Sequence, residues 1–557
     1  MKLQRLIISN FRGIKGENNE IDFSSSNIIF LIGQNNVGKS SFLQAYDFFV
    51  NSTRRAAASD FYNYDTTTPI VIEGVFLKDE NDDDDDDFTG KGKNVDPNWI
   101  NKWVDSDNLI RVRKIWSKTD LADKYTFSPI DGWVLNGFGG MPSLFQKYSP
   151  TPIFISAMET ESSLEDKVNK LIQDEIIKTL REDYGDDMDN LISGVKELQK
   201  KISDSDIISK YNVEINENFK KVFEDLTLKI YPKNDENIKL EDAFKKNHSV
   251  IINKDGIERD EVFTQHGHGV IRQALFNFVS FIKKIKEGSK KEYIILYEEP
   301  ELFLHPEIAF KLRTSLYDLA EKSPFQILCA THSPLMIDIS KPHSSLVRVV
   351  KDPDENTHTY QVGDEVFRSD DEKKQRIQMI NRFNPHVCES FYAKKVIIVE
   401  GDTEAIVFRD LIKRFYNRFE VYVLNSGSKN NIPFFQEIFS AFHIDHCVIH
   451  DSDSRKNNKN DNANSAWTLN GIIWEKIAAA NARKEGMARR YVHVQNFESS
   501  HDIKSTGKDK PLHAYDYAMT LTEESDVPCL NILKDLFGDN VILHDNDYIE
   551  SLEPIEN

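Results

Sequence analysis

The stretch "NIIFLIGQNNVGKSSFLQAYDFFV", residues 27–50, decides the fold of this chain. It opens with a run of apolar residues that is typical of a strand covered on both faces of a sheet. The run continues into Gly33, four further residues, Gly38, Lys39 and Ser40, and then into a segment with helical spacing. A strand, a glycine-rich loop and a helix in this order predict a P-loop, whose backbone N–H groups and helix N-terminus cradle phosphates.

Each residue type in a P-loop has a defined task. The lysine reaches the outer phosphates of a nucleotide, and the hydroxyl that follows it binds magnesium. We therefore expect Lys39 to contact ATP and Ser40 to bind Mg²⁺. The other nucleotide-binding candidates of the loop are Gly33, Asn36, Gly38 and Ser41.

A second apolar run, "YIILYEEPELFLHP" at 293–306, ends in acids that suit an ATPase. Glu298 can hold the magnesium ion through water, and Glu299 can orient or deprotonate the attacking water. Two adjacent ionised carboxylates at a strand end are costly without a cation, which favours a functional role. A third run, "FQILCATHSP" at 325–334, places His332 at a strand end, where it can sense the terminal phosphate.

The sequence changes character between these motifs. Apolar residues at helical spacing between 159 and 228 predict paired helices inserted into the first domain, which either stabilise the fold or form a dimerisation arm. Gly267 and Gly269 precede an amphipathic segment whose N-terminus is free to meet an anion. The six aspartates at 82–87 repel one another and predict a solvated loop, with metal buffering as the alternative.

The order of these motifs resembles the ATP-binding-cassette (ABC) head domains of the SMC and RecF kind. The stretch "ISNFRGIKG" at 8–16 is similar to their first strand and turn. In that class two heads sandwich ATP, and the glycine-rich helix start of one head caps the γ-phosphate bound by the other. This chain lacks the Leu-Ser-Gly-Gly-Gln signature of the class, and its insertion is far too short for a long SMC coiled coil.

A second candidate site begins with "KKVIIVEGDTEAIVF", residues 394–408. The apolar part predicts a buried strand that stops at a cluster of acids. Glu404 lies four residues after Glu400, so at a helix start its side chain can lean toward the ion that Glu400 meets.

The matching half of this site is "HCVIHDSDS" at 446–454, a short strand that ends in Asp451 and Asp453. In an extended chain residues i and i+2 point the same way, so both carboxylates can face one ion. Clustered carboxylates are hard oxygen ligands that suit Mg²⁺ or Mn²⁺. The two halves together therefore predict a site for divalent cations.

These halves resemble a Toprim domain, the fold of topoisomerase, primase and recombination-nuclease catalytic centres. A P-loop head followed by a Toprim domain resembles the architecture of the OLD (overcoming lysogenisation defect) nucleases, and the likeness covers nearly the whole chain. It implies that a later Glu joins the metal ligands and that a Lys assists near the scissile phosphate. We assign these roles to Glu498, at the end of a strand predicted in 492–500, and to Lys510, with Lys504 and Lys508 as close rivals.

The predicted roles form three sets. The catalytic residues are Glu400, Glu404, Asp451, Asp453, Glu498, Lys510 and Glu299. The metal ligands are Glu400, Glu404, Asp451, Asp453, Glu498 and Ser40. The nucleotide-binding residues are Gly33, Asn36, Gly38, Lys39, Ser40, Ser41, Glu298 and His332.

The composition limits which cellular compartment and which binding partners can be expected. With 557 residues, of which 39% are hydrophobic and 29% charged, the chain is typical of a soluble protein of two or three domains. No stretch predicts a signal peptide or a membrane span, and the four cysteines lack metal or disulfide spacing, so we expect a cytoplasmic protein. The net charge of −21 repels phosphate, so nucleic acid must meet local basic patches or bound cations.

One basic stretch, residues 475–494, follows the second acidic strand. If it is helical, it forms a basic face beside the metals; a solvated charged helix is an equal alternative. Its cations are Lys476, Arg483, Lys484, Arg489 and Arg490. Without a recognisable base-reading motif, we expect contacts to the nucleic-acid backbone and little base readout.

We interpret the sequence as an α/β protein with an ABC/SMC-like P-loop ATPase head, a helical dimerisation insertion and a C-terminal Toprim domain. The predicted segments are the N-terminal ATPase part at 1–158, the insertion at 159–230, the C-terminal ATPase part at 231–388 and the Toprim nuclease domain at 389–557.

The predicted function is an ATP-binding, Mg²⁺-dependent DNA endonuclease whose nucleotide state gates cleavage. The OLD resemblance implies prokaryotic defence against phage, as in Gabija or retron-associated nucleases, and dimers or higher oligomers built through the ATPase half. It also leaves room for a partner protein or a retron nucleic acid. Two alternatives stay open: a DNA-repair or structural ATPase whose Toprim half does not cleave, and an RNA or tRNA nuclease with the same metals.

Overall fold

The computed structural model describes residues 1–17, 19–78, 99–137, 142–158, 292–321, 325–363, 385–456, 464–503, 509–538 and 544–551, with a few single positions between 163 and 269. Several predictions concern residues outside the described ones. They are the helical insertion, the aspartate run, the glycine-rich segment around Gly267, and the lysines Lys504 and Lys508.

The described residues form β-strands, α-helices and short 3₁₀ helices. The strands are β1 (Lys2–Ser9), β2 (Asn19–Asp22), β3 (Ile28–Ile32), β4 (Ile70–Leu77), β5 (Leu109–Trp116), β6 (Asp123–Ser128), β7 (Gly132–Leu135), β8 (Thr151–Ile155), β9 (Tyr293–Glu298), β10 (Phe325–Ala330), β11 (Leu346–Lys351), β12 (Thr357–Gln361), β13 (Lys395–Val399), β14 (Val421–Asn425), β15 (Asp445–Asp451) and β16 (Ala488–His493).

The α-helices are α1 (Lys39–Val50), α2 (Pro142–Tyr148), α3 (Pro306–Glu321), α4 (Asp402–Phe415), α5 (Ile432–Ala441), α6 (Ser465–Arg483), α7 (Phe497–Ser500), α8 (Lys510–Thr520), α9 (Pro528–Phe537) and α10 (Asn546–Ser551). Short 3₁₀ helices span Ala58–Asp60, Tyr62–Tyr64, Trp99–Lys102, Pro334–Met336, His343–Ser345, Pro385–Tyr392 and Lys429–Asn431.

Strand β3 leads into the P-loop and lies inside a six-stranded sheet of order β12-β11-β3-β10-β9-β8. It runs parallel to both neighbours, and its Ile28 pairs with Ile327 of β10. All five residues of β3 are buried, which accounts for the continuous apolar run. Because parallel strands end at the same edge of a sheet, the loops after β9 and β10 lie beside the P-loop, which follows β3.

A second, antiparallel sheet of order β2-β1-β4-β5-β6-β7 shares a hydrophobic core with α1. Phe49 of α1 packs against Phe76 and Phe145. Gly74 on β4 permits this close packing, since a Cβ atom there would lie 2.8 Å from the Phe49 ring. Each buried phenylalanine stabilises the fold by about 1.5–3 kcal/mol, so this aromatic group anchors the helix that begins at the P-loop.

The C-terminal sheet has four parallel strands in the order β14-β13-β15-β16. On one face α4 buries Val407, Phe408 and Leu411 in a core that α8 and α9 also enter. Because β13 and β15 are adjacent and parallel, the residues that follow them share one edge of the sheet. That edge receives Glu400 from β13 and Asp451 from β15.

The predicted α/β class is confirmed, while two predicted secondary-structure elements are wrong. Residues 475–494 do not form one basic helix: α6 ends at Arg483, and Arg490 is fully buried on β16. Its guanidinium donates to the backbone oxygen of Asn470, so β16 needs it as a core residue. The strand predicted to reach Glu498 ends at His493, and Glu498 lies in α7 because Asn496 caps a new helix.

The chain divides into two compact units, Met1–Ala157 with Lys290–Asn557, and Met158–Ser289. All three sheets belong to the first unit. The bounds of the four segments drawn from the sequence stay a prediction. In the part of the chain that the structure describes, no helix has the length and apolar character needed to cross a membrane.

Candidate functional site

The P-loop has the backbone conformation that phosphate binding requires. Gly33 has φ +140° and Gly38 has φ +101°, values that side chains disfavour. A Cβ atom on Gly33 would lie 2.2 Å from the backbone oxygen of Val349, so only glycine fits there. Helix α1 begins directly after Gly38, and its N-terminus therefore faces the loop.

Lys39 is buried at the centre of this loop. Its Nζ donates to the backbone oxygens of Gly33 at 2.8 Å and Gln34 at 2.7 Å, and lies 3.2 Å from His332 Nδ1. An ammonium group can only donate, so Nδ1 accepts and a neutral His332 carries its proton on Nε2. Burial and the Lys39 charge lower the pKa of His332 to about 4, while burial lowers the pKa of Lys39 to about 8.

The two acids after β9 have different surroundings. Glu299 has φ +44°, and its Oε1 lies 3.6 Å from His332 Nε2. The structure therefore brings Lys39, His332 and Glu299 together at the sheet edge. Glu298 turns toward β8, where its Oε2 accepts from Ser156 Oγ at 3.2 Å and from the Ala157 backbone N–H at 3.3 Å.

The remaining loop candidates also have defined places. Ser40 lies half-buried in the first turn of α1, while Ser41 Oγ accepts from the Gly13 backbone N–H at 3.2 Å. Asn36 has φ +62° and lines a cavity with Gly33 on the outer side of the loop. The glycine geometry, the helix N-terminus and the buried ammonium fit a nucleoside triphosphate with its magnesium ion.

Glu301 is a functional candidate that sequence reasoning missed. One of its oxygens, Oε1, accepts from Thr331 Oγ1 at 2.7 Å and from the backbone N–H groups of His332 and Ser333. These bonds fix the turn that carries His332. The sequence did contain a signal for Glu301, since it is the third acid of "EEPE". The prediction used only the two adjacent acids and gave the third no role.

The second site is a pocket at the edge where β13 and β15 end, with a cavity volume of about 420 Å³. Glu400 Oε1 accepts from the Asp451 backbone N–H at 2.7 Å, which ties the two strand ends together. The structure brings all six predicted residues to this pocket. They are Glu400, Glu404, Asp451, Asp453, Glu498 and Lys510.

The acids reach this pocket by routes that only partly match the prediction. Glu404 lies buried in the first turn of α4, as a helix start requires. Asp453 has φ +61°, so the argument from an extended chain is wrong for it; a left-handed turn carries its carboxylate to the pocket. Glu498 points in from α7 and pairs with Lys510, whose Nζ lies 3.0 Å from Glu498 Oε1.

Lys429 is the second residue that sequence reasoning missed. It follows β14 in the 3₁₀ turn Lys429–Asn431 and lines the same pocket. Its Nζ lies 2.6 Å from Asp453 Oδ2. The available sequence signal was the position of Lys429 just after β14, because β14 is parallel to β13 and both strands end at the same edge of the sheet.

The donor set of this pocket fits a hard divalent cation. Burial and neighbouring carboxylates raise the pKa of Asp451 to about 9, and burial raises the pKa of Glu400 to about 7. Asp451 Oδ1 is buried without a hydrogen-bond partner among the described residues. Within those residues no three His, Cys, Asp or Glu side chains are arranged to hold an ion as they stand, so binding requires local side-chain adjustment. A cation would satisfy the Asp451 oxygen and offset the crowded charges.

These pKa values predict a pH dependence for the metal-free protein. Both carboxyls have a higher pKa when folded than the usual 4.5 and 3.8, so the folded state binds more protons in between. Stability should therefore fall as pH rises from about 4 through about 7 for Glu400 and about 9 for Asp451, by up to about 1.4 kcal/mol per pH unit and group. Thermal unfolding in EDTA between about pH 6 and 8 measures this loss.

Bound Mn²⁺ should remove most of this loss, because cation binding favours the ionised carboxylates. The Asp451→Asn variant is the control, since its amide cannot ionise and its stability should depend less on pH. A wild-type protein that is no less stable at the higher pH in EDTA, relative to this variant, contradicts the prediction.

Comparison with known proteins agrees with this division into two sites. Residues 1–337 match the family model of an AAA ATPase domain, and residues 391–453 match that of an overcoming lysogenization defect protein-like TOPRIM domain. The Old nuclease of Escherichia phage P2 is 24% identical over 496 residues, which cover 82% of this chain and 78% of that protein. Endonuclease GajA of Bacillus cereus strain VD045 is 23% identical over 447 residues, which cover 77% and 70%.

Among solved structures, an Smc head bound to the C-winged helix domain of ScpA is 12% identical, covers 68% of this chain and all of that chain, and has a TM-score of 0.37.

The ATPase model spans more than half of the chain and includes the P-loop, while the Toprim model includes Glu400 and Asp453. An ATPase and a Toprim domain indicate the use of a nucleotide and a divalent cation. The chain therefore belongs to the AAA ATPase domain family, and it joins this domain to a segment that matches the OLD-like TOPRIM model.

Proposed function

We propose that this protein is an ATP-binding DNA endonuclease that requires Mg²⁺ or Mn²⁺, that its nucleotide state gates cleavage, and that it acts in defence against phage. The observation that carries the proposal is the carboxylate pocket at the β13–β15 edge, where five acids and Lys510 converge. Two relatives named as nucleases align with 82% and 77% of this chain.

The residues of the pocket divide the work of phosphodiester hydrolysis. Divalent cations, when bound, stabilise the attacking and leaving oxygens of a phosphodiester. Glu400 and Asp451 would hold them from the two strand ends, and Glu404, Asp453 and Glu498 would complete the ligands. Lys510, with 54% of its side chain exposed, can direct its ammonium toward the scissile phosphate.

The nucleotide site has its own division of roles. Lys39 would exchange its bonds to backbone oxygens for the outer phosphates, and Ser40 would bind magnesium. Glu299 would orient the attacking water. Because Nδ1 of His332 contacts Lys39 and Nε2 faces Glu299, His332 can respond to the terminal phosphate.

Direct contacts connect this nucleotide site to the Toprim domain. Gln34, inside the P-loop, donates through Nε2 to Glu420 Oε2 at 3.2 Å, and Glu420 pairs with Lys394 at 2.8 Å. Beside them, Arg348 of β11 donates to the backbone oxygens of Phe442, His443 and Ala393. A cavity of about 800 Å³ lies beside these contacts and is lined by residues of the P-loop and by Lys394 and His443.

This path predicts the effect of Glu420→Ala. Without the carboxylate, Gln34 loses its Toprim partner, so the effect of ATP on cleavage should shrink about two- to fivefold, as for other exposed pairs. Cleavage without nucleotide should stay unchanged. The measurement is the ratio of cleavage rates with and without ATP.

Glu437→Ala is the matched control, because Glu437 pairs with Lys476 between α5 and α6, away from the P-loop. It should leave the ATP ratio at the wild-type value. An unchanged ratio in Glu420→Ala would remove this path from the proposal.

The proposal includes partners and location. DNA would meet the cations and lysines of the pocket, because the net charge of −21 excludes a general attraction. The protein would work in the cytoplasm as a homodimer or larger oligomer built through the ATPase half. A defence partner protein or a retron nucleic acid would supply the trigger.

A plasmid-nicking assay with Mg²⁺ or Mn²⁺, with and without ATP, tests the central claim. Metal-dependent conversion of supercoiled plasmid to open-circle or linear forms is the expected result. If no metal or nucleotide condition yields cleavage of DNA while matched RNA is cut, the substrate assignment is wrong. If neither is cut, the nuclease assignment itself fails.

A further inference from the structure

Lys429 lies in the wall of the carboxylate pocket with only 5% of its side chain exposed. Its ammonium donates to Asp453 Oδ2 at 2.6 Å and to the Asp451 backbone oxygen at 2.5 Å. An ammonium has three N–H donors, so one remains for a group inside the pocket. Burial penalises a lysine charge, and here the surrounding carboxylates offset that cost.

The loop that carries Lys429 is fixed to the strand that carries Glu400. Ser426 Oγ donates to the Val399 backbone oxygen at 2.8 Å, and Asn431 Nδ2 donates to the Ser426 backbone oxygen at 2.8 Å. Gly427, with φ +73°, makes the turn between them. Lys429 therefore lies in a fixed loop at the end of β14, and its side chain extends to the turn after β15.

The charge balance of the pocket indicates a role for the Lys429 ammonium. Five carboxylates face two ammonium groups, Lys429 and Lys510, which leaves three negative charges when all are ionised. Two divalent cations would turn this into one positive charge, which equals the charge of one phosphodiester with opposite sign. Without Lys429 the same pocket would be neutral before the substrate arrives.

We propose that Lys429 is a positioning residue that acts as a built-in positive charge of the pocket. It holds Asp453 in place when no metal ion is bound, and it weakens cation binding so that a positive charge remains for the phosphodiester. This inference rests on the proposed nuclease function and adds a separate consequence: removing the charge strengthens metal binding while it slows cleavage. A merely structural lysine would weaken metal binding on removal.

The test compares Lys429→Gln with the wild-type full chain. Glutamine keeps an N–H donor for Asp453 and removes the charge. Isothermal titration with Mn²⁺ alone should show about tenfold tighter binding to Lys429→Gln, because the ammonium charge in the pocket wall no longer repels the cation. Plasmid cleavage at saturating Mn²⁺ should be at least about tenfold slower, because the phosphodiester loses its counter-charge.

Two further variants separate charge from shape. Lys429→Arg keeps the charge, so its Mn²⁺ affinity should stay close to wild type. Lys341→Gln removes a lysine that pairs with Glu321, outside the carboxylate pocket, and should change neither Mn²⁺ binding nor cleavage. Thermal unfolding in EDTA should show Lys429→Gln destabilised, and Mn²⁺ should restore its melting temperature toward wild type.

Each outcome decides a different claim. Equal or weaker Mn²⁺ binding by Lys429→Gln overturns the inference, and so does a variant that stays unfolded with Mn²⁺ present. If wild type binds Mn²⁺ and cuts plasmid, such a result leaves the proposed function intact. A wild-type chain that neither binds Mn²⁺ nor cuts overturns the proposed function together with this inference.

Discussion

Replacement of Glu400 by alanine should lower plasmid cleavage in Mn²⁺ by at least about a hundredfold, the scale on which metal-site residues act. Glu400 contributes a carboxylate to the pocket and also accepts from the Asp451 backbone N–H at 2.7 Å. Its loss therefore removes a cation ligand and loosens the turn that presents Asp451. The measurement is the initial rate of nicking by wild type and variant at equal protein and metal concentrations.

The matched control is Asp402→Ala, which removes an acid two positions along the chain. Asp402 lies in the first turn of α4, where its Oδ1 accepts from Asn425 Nδ2 at 2.7 Å outside the pocket lining. Its cleavage rate should stay within about twofold of wild type, as expected for an exposed polar contact. Wild-type cleavage by Glu400→Ala would sink the metal-site interpretation. Equal losses in both variants would point to folding instead.

Replacement of Lys39 by alanine should weaken ATP binding at least about tenfold, because the loop loses its only positive charge aimed at the outer phosphates. The buried ammonium now bonds to the backbone oxygens of Gly33 and Gln34, so the cavity left behind also disturbs the loop. Isothermal titration of the full chain with Mg²⁺ and ATP measures the loss. The exposed Lys118 offers a control, and Lys118→Ala should bind ATP as wild type does.

The same variant tests whether nucleotide gates cleavage. In the presence of ATP, Lys39→Ala should cut at the rate that wild type shows without ATP, whichever direction the wild-type response takes. A variant that has lost ATP binding but still changes its cleavage rate with ATP would place the gating nucleotide at another site.

Sequence patterns predicted the parts of the site that depend on a strand and its end. The apolar run before Gly33 and the acids after β13 and β15 carry local signals, because a buried parallel strand needs continuous apolar residues and ends in a functional loop. The helix start at Glu404 follows from the same local reasoning. The ATPase and Toprim assignments were confirmed by the family comparison.

The parts that failed depend on contacts distant in sequence. Asp453 reaches the pocket through a left-handed turn whose backbone N–H donates to Gln495, which no alternation pattern reveals. Lys429 resembles any polar loop residue until Asp451 and Asp453 are placed beside it. The basic stretch misled because Arg490 pairs with backbone oxygens in the core, although arginines in sequence usually indicate surface.

The central place of β3 has a consequence for how the chain is made. Its apolar residues are translated about 300 residues before their partners, because Ile28 pairs with Ile327 and Phe30 with Leu346. At ordinary rates of protein synthesis this strand waits for partners on the order of tens of seconds. The antiparallel sheet, whose strands all lie before residue 136, is complete long before. The nascent chain thus carries a paired antiparallel sheet beside an unpaired hydrophobic strand, and such an exposed strand is a binding site for chaperones.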